Sequence, residues 1–324
     1  MTLDLPLVFA LLMGAAILAY VVLDGYDLGV GMLMPGASAA EQDVMVASIG
    51  PFWDANETWL VLGVGILLVA FPAAHGWILG ALYLPVAGML IGLMLRGVAF
   101  EFRVKAEGWH RELWNWLFWF GSFVASFAQG FMLGRYLTAF QPGWAYFLFA
   151  LLVGAALCGG YVLLGATWLV LRTEGELQRR ARAWARWGLG WVALGVALVS
   201  LATPLVSEAV REKWFAWPRI LYMSALPLAT LAAWLWVWRS LDRSDGKPFA
   251  GTVAIFALAF GGLAYSVFPY VVLGGMTIWQ AAAHPSALMV VLVGAAIVLP
   301  VLVGYTAFAY RVFRGKVRTE RYEH

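Results

Sequence analysis

The chain is poor in charge and has almost no cysteine, and each shortage excludes something. Asp, Glu, Lys and Arg make up 12% of its 324 residues, against about 25% in soluble domains, so a soluble globular protein is excluded. The one cysteine, Cys158, allows neither an internal disulfide nor a thiolate metal site. It lies in an apolar run, where a thiol packs as a small hydrophobe. The histidines are His75, His110, His284 and His324. None falls mid-run and no two stand four apart, so haem ligation by this chain alone is not expected, nor is a metal site. There is no phosphate-binding glycine loop, nucleophile elbow or Cys/His metal spacing. A net charge of +3 is no argument for nucleic acid in so apolar a chain. Asp4, with no Lys or Arg, precedes the first apolar run, so no cleavable leader is expected there.

What remains is hydrophobe. Apolar types make up 63% of the chain, in repeated runs of about 20 residues, the length that spans a bilayer as helix; membrane strands need only about 10 alternating residues. The runs predict an all-α membrane protein of nine spans, near 5–33, 54–74, 77–96, 113–134, 144–171, 187–206, 216–239, 250–271 and 287–311. Residues 1–324 read as one polytopic domain. Phe71-Pro72 and Phe268-Pro269, near span ends, suggest a pseudo-repeat of 1–140 and 141–285. That would give two four-helix bundles, a final helix over 286–311 and a tail over 312–324.

Basic residues orient the chain. With nine alternating spans, seventeen of the 21 Lys and Arg fall on one side, from Arg96, Arg103, Lys105 and Arg111 through to Arg318 and Arg321. Only Arg135, Arg211, Lys213 and Arg219 fall on the other. The positive-inside rule makes the first side cytoplasmic, with the N-terminus outside and the C-terminus inside.

That orientation groups the intramembrane acids. The first helix reaches Asp24 after about 28 Å of rise, near the cytoplasmic edge of the hydrocarbon, with Asp27 one turn on. The second opens there with Gly50-Pro51-Phe52-Trp53-Asp54-Ala55-Asn56-Glu57-Thr58-Trp59, and Arg96 ends the third on the same side. Ionisable groups at that depth cost roughly 2.5–3.5 kcal/mol each even on the insertion scale, which makes them candidates for function. Asp24 and Asp27, and likewise Asp54 and Glu57, are spaced to share a helix face. Four carboxylates around one guanidinium cannot all be ionised together, so such a group can take up and release protons. Headgroup solvation, with Arg96 as a simple ion-pair partner, is the blander account. Gly25 and Gly29 have the spacing of close helix packing, and Gln129 and Asn115 are expected to bond across helices. Trp184, Trp187, Trp214, Trp217 and Trp238 read as interfacial anchors; Trp53 and Trp59 are either anchors or part of the acid group. A proton-coupled secondary transporter using the same acids is a competing function, although such proteins have helices broken at the midplane, and Pro85 is the one clear break here.

Asp24-Gly25-Tyr26-Asp27-Leu28-Gly29-Val30-Gly31 and the stretch from Gly50 to Leu60 resemble subunit II of the cytochrome bd-type quinol oxidases, including the cyanide-insensitive branch. Arg96 to Arg103, Trp114-Asn115-Trp116, Gly165 to Leu169, Arg172 to Leu177, Phe268-Pro269-Tyr270, Thr277-Ile278-Trp279 and Tyr305 to Arg311 continue the likeness in order. Ala55, Thr58, Arg135, Gln280 and His284 depart from the family's usual residues. The resemblance implies a heterodimer in the bacterial cytoplasmic membrane that oxidises quinol and reduces dioxygen to water. It places two b-type haems and one haem d in a partner subunit I. It leaves room for small single-helix subunits and for a structural quinone or lipid. This chain would supply structural support and a cytoplasmic proton path through Asp24, Asp27, Asp54, Glu57 and Trp59, with Arg96 as the supporting ion pair.

Overall fold

The computed structural model describes residues 3–317, and Arg318, Arg321 and His324 of the sequence reading lie outside the described residues. In chain order the helices are α1 (Leu5–Leu33), α2 (Ala39–Ile49), α3 (Trp53–Ala70), α4 (Pro72–Arg103), α5 (Gly108–Leu137), α6 (Trp144–Arg172), α7 (Gly175–Val206), α8 (Glu208–Phe215), α9 (Arg219–Ser240), α10 (Gly246–Val267), α11 (Ile278–Ala281) and α12 (Pro285–Val312). Among the described residues nine of them are long and apolar enough to cross a membrane. Three exceed the expected spans: α4, α5 and α7 run past their apolar stretches into charged sequence. The added turns carry ion-paired cations such as Arg103, Arg111 and Arg182, so hydropathy alone sets those ends too early.

Three short helices, α2, α8 and α11, and a hairpin were not expected. Helix α2 starts at Ser38, whose hydroxyl accepts from the Glu41 amide while the Glu41 carboxylate accepts from the Ser38 amide at 2.8 Å. This reciprocal cap is readable from Ser-x-x-Glu. The same cap recurs at Thr277 and Gln280. It follows a two-stranded hairpin, β1 (Tyr270–Val272) and β2 (Met276–Thr277). Gly274 turns the hairpin at φ +69°, a backbone region open to glycine.

Helix α1 is the hub, packed against α3, α5 and α6. Lipid offers no hydrophobic drive between helices, so close van der Waals approach must do that work. A Cβ on Gly29 would lie 1.8 Å from the Tyr161 carbonyl oxygen, and one on Gly165 2.4 Å from the Gly29 carbonyl carbon. The α1 and α6 backbones therefore touch. Helices α4 and α5 meet in the same way, since a Cβ on Gly121 would lie 2.5 Å from the Gly92 carbonyl oxygen and 2.9 Å from the Arg96 amide. These two crossings fix α1 and α4 at the level where their charges sit. Helix α12 is peripheral, with Leu288 and Ala309 its buried residues.

The ends of the bundle differ. The end where α1 and α12 finish carries Arg103 on Asp43 at 2.9 Å, Arg182 on Asp245 at 2.9 Å and Arg186 on Asp242 at 2.6 Å. Lys316 reaches Asp245 at 2.7 Å and donates to the Thr173 carbonyl at 2.9 Å, and the Val317 amide donates to the Arg172 carbonyl at 2.8 Å. The chain beyond α12 is thereby strapped across the α6–α7 turn.

Candidate functional site

One turn inside that end, three helices bring ionisable groups together. On α1, residues Asp24 to Gly31 are buried on every side because neighbours surround the helix. Arg96, 1% exposed, extends from α4 between the carboxylates. Its Nη1 donates to Asp24 Oδ1 at 2.6 Å and its Nη2 to Glu57 Oε1 at 2.7 Å. The planar guanidinium, with fixed donor directions, suits this bridging of two acids. The guanidinium carbon also lies 5.9 Å from the centre of the Trp53 ring. Asp24 is fully buried, whereas the Glu57 side chain is 29% exposed, so Glu57 is the member that reaches outward.

Asp27, also fully buried, has a separate partner. Asn56 Nδ2 donates to Asp27 Oδ2 at 2.7 Å and to the Tyr26 hydroxyl at 2.8 Å. The Tyr26 and Tyr310 hydroxyls lie 2.5 Å apart, and Tyr310 donates to Asn56 Oδ1 at 3.2 Å. Among the described residues Asp24 Oδ2 and Asp27 Oδ1 have no protein partner. Deeper in the bundle, Gln129 Nε2 donates to the Tyr20 hydroxyl at 2.8 Å, and the Tyr161 hydroxyl donates to Gln129 Oε1 at 2.7 Å. Asn115 also bonds across helices, accepting from Arg103 at 2.8 Å and donating to Gln42 at 2.7 Å.

Five of the six residues singled out in the sequence thus lie inside the bundle, and Asp54 does not. Asp54 is exposed on the first turn of α3 and makes no ion pair among the described residues. Its spacing from Glu57 suggests a shared face, but three residues leave an offset of about 60° around a helix, and that offset turns Asp54 outward. Trp59 is buried beside Ala16 and Tyr20, next to the deeper amide network rather than the ion pair.

Comparison with known proteins bears on this geometry. The family described as cytochrome bd terminal oxidase subunit II matches residues 5–313. The chain belongs to this family. It is a subunit of a bd-type quinol oxidase, a quinol:oxygen oxidoreductase, and a multi-pass protein of a bacterial inner membrane. Cytochrome bd ubiquinol oxidase subunit 2 of Bacillus subtilis (strain 168) is 31% identical over 330 residues, covering 95% of each chain. Cytochrome bd-I ubiquinol oxidase subunit 2 of Escherichia coli (strain K12) is 29% identical over 380 residues, covering 98% of this chain and 97% of the relative. A solved chain of the bd oxidase from Geobacillus thermodenitrificans matches the fold at a TM-score of 0.82 and 16% identity, over 96% of this chain and 99% of that one. Family membership decides between the oxidase and transporter expectations.

A bd oxidase uses haem and quinol and joins subunit II to a subunit I. The described histidines of this subunit II do not fit a haem. His75 stands in the first turn of α4, His110 in the first turn of α5, and His284 caps α12 through the Ser286 amide. Each stands at a helix end, away from the packed interior of the bundle. Gln280, one of the departures from the family pattern, is likewise a helix cap.

The sequence reading omitted Tyr26, Asn56 and Tyr310 from the site. Asn56 had a signal: an amide between two acids in the first turn of an apolar helix. Tyr310 had none, because a tyrosine near a span end reads as an interfacial anchor and its partner Asn56 is 254 positions away.

Proposed function

We propose that this subunit gives the oxidase its route for chemical protons, from the cytoplasm to a buried acid group, and that it braces a haem-bearing subunit I. In this reading the partner holds two b-type haems and one haem d, and the heterodimer separates charge by drawing the protons for water formation from one side. Among the described residues, fifteen of the nineteen Lys and Arg belong to the end that carries the acids, which the positive-inside rule assigns to the cytoplasm. Asp54 and the half-buried Glu57 collect protons there, and Asp24 and Asp27 hold them within the bundle.

The observation that carries the reading is the Arg96 bridge. One guanidinium holds a fully buried acid and a partly exposed acid 2.6 and 2.7 Å from its two nitrogens. With Asp27 at the same level there are three carboxyls to one cation, so the fully ionised group would leave two negative charges without a counterion inside the bilayer, where charge is costly. Such a group has capacity for exchangeable protons, and Glu57 gives it contact with the aqueous side.

The test is Glu57→Gln in the assembled complex. A positioned proton carrier contributes about 10²–10⁴-fold to a rate, so quinol:oxygen turnover is expected to fall by about tenfold or more, with haem content unchanged. Asp54→Asn, at the exposed first turn, should cost less. Full turnover in Glu57→Gln with intact haem would remove the acid group from the proton route.

A further inference from the structure

The hydrogens around Asn56 can be assigned one by one. Tyr310 gives its proton to Asn56 Oδ1, and Asn56 gives one to the Tyr26 oxygen. The Tyr26 proton is then the one that lies between the two tyrosine oxygens, 2.5 Å apart. The result is a closed three-membered ring in which each group donates to the next. The second amide hydrogen of Asn56 goes to Asp27 Oδ2 at 2.7 Å, the Leu23 carbonyl being a longer acceptor at 3.3 Å. With Asp27 ionised, the reversed amide would place Oδ1 against its carboxylate, oxygen facing oxygen, so the carboxylate sets the amide orientation and the Tyr310 hydroxyl completes it.

The ring also has a location. Tyr310 lines a cavity of about 350 Å³ together with Phe52, Trp168, Arg172, Arg314 and Lys316. Its ring stacks on Phe52 at 4.5 Å between centres. Tyr26 and Asn56 behind it are fully buried. The Tyr310 side chain therefore stands between this cavity and Asp27. An amide that is already donating both hydrogens passes no proton onward, since that would require its imidic tautomer.

We propose that Tyr310 is a positioning residue and that the Tyr26–Tyr310–Asn56 ring seals Asp27 from this cavity, leaving Glu57 as the way into the acid group. This rests on the proton-uptake reading above. In the absence of the Tyr310 hydroxyl, Asn56 Oδ1 and the Tyr26 hydroxyl lose a partner beside the cavity, and buried polar atoms left without partners recruit water. That water would connect the cavity to Asp27.

The experiment uses the assembled oxidase and a double-mutant cycle. Glu57→Gln blocks the ordinary entrance. Adding Tyr310→Phe is expected to raise turnover at least about threefold above Glu57→Gln alone, because a second entrance opens. Further addition of Asp27→Asn is expected to abolish that recovery. Haem content and the melting temperature of the complex serve as the check on assembly. Tyr310→Leu, which removes the same hydroxyl, replaces Tyr310→Phe if the latter does not assemble.

A double variant no faster than Glu57→Gln overturns the seal, and a slower one shows the tyrosines to be a relay instead. Recovery that survives Asp27→Asn overturns it as well, because the leak would then bypass the residue that is sealed. Unimpaired turnover in Glu57→Gln alone removes the proton-uptake reading and the seal with it, and the single variant reports that failure separately.

Discussion

Arg96 on α4 and Asp24 on α1 meet at 2.6 Å with neither side chain open to solvent. Removing one partner of a buried pair strands the other charge, at a cost of about 3–5 kcal/mol. Arg96→Leu is therefore expected to prevent assembly or to lower the melting temperature of the solubilised complex sharply. Arg96→Lys keeps the charge but lacks the fork that spans Asp24 and Glu57, so its loss should be intermediate. Equal melting temperatures for Arg96→Leu and the unaltered complex would show that the pair does not brace α1 against α4.

The glycines of α1 make a graded prediction. A methyl at Gly29 meets backbone, 1.8 Å from a carbonyl oxygen, whereas one at Gly25 meets the ring edge of Tyr161 at 2.7 Å. A ring can yield and a helix backbone cannot, so Gly29→Ala should cost more than the usual 1–3 kcal/mol of overpacking and Gly25→Ala less than Gly29→Ala. Gly80 on α4 has nothing within 4 Å of an added Cβ, and Gly80→Ala should be neutral or stabilise by up to about 1 kcal/mol through helix propensity. Thermal denaturation of the three complexes gives the order, and a Gly80→Ala loss as large as that of Gly29→Ala would contradict it.

Gln129 joins α5 to α1 and α6 through Tyr20 and Tyr161. Hydrogen bonds between membrane helices average about 0.6 kcal/mol each, so Gln129→Leu should destabilise the subunit by about 1 kcal/mol. The spectrum of the complex should not change, since the network lies among three helices of this chain. A spectral shift in Gln129→Leu would mean that the network extends to the haem-bearing subunit.

The strap after α12 should respond to acid. Burial alone would raise the Asp245 carboxyl, but the hydrogen bond and charge of Lys316, a bond from Gln178 and the charge of Arg182 together hold it below the usual carboxylate value. A carboxyl depressed in the folded state contributes its stability above its ordinary value, about pH 4, and loses it as the pH falls through the lower folded value. Protection of the amides of residues 313–317 from hydrogen exchange, taken relative to the intrinsic rate at each pH, should be strong above that window and be lost below it. In Asp245→Asn the protection should already be lost at neutral pH; unchanged protection in that variant would show that Lys316 is held by its bonds to the Thr173 and Val170 carbonyls, at 2.9 and 3.3 Å, alone.

Much of this was legible in the sequence because charge in an apolar run is conspicuous. Asp24, Asp27, Glu57 and Arg96 stand out against their neighbours, and the uneven Lys and Arg put them at one level in the sequence alone. The face of Asp54 was not legible, because a helix end frees its first turn from the neighbour that its second turn meets. Nor were the hydroxyls: Tyr26 and Tyr310 are 284 positions apart, and neither carries a charge to betray that it is buried against a polar partner. Helix α2 is legible in principle from Ser38 and Glu41, but its composition is too polar for a span, and apolar runs alone do not reveal it.

The peripheral place of α12 has a consequence for synthesis. Helices α1, α3 and α4, with their acids and Arg96, leave the ribosome well before α12. Tyr310, which closes the ring over Asn56, comes only with α12. A nascent chain therefore has its charged centre in the membrane with one side open until α12 is made, and insertion of that helix is the step that completes it.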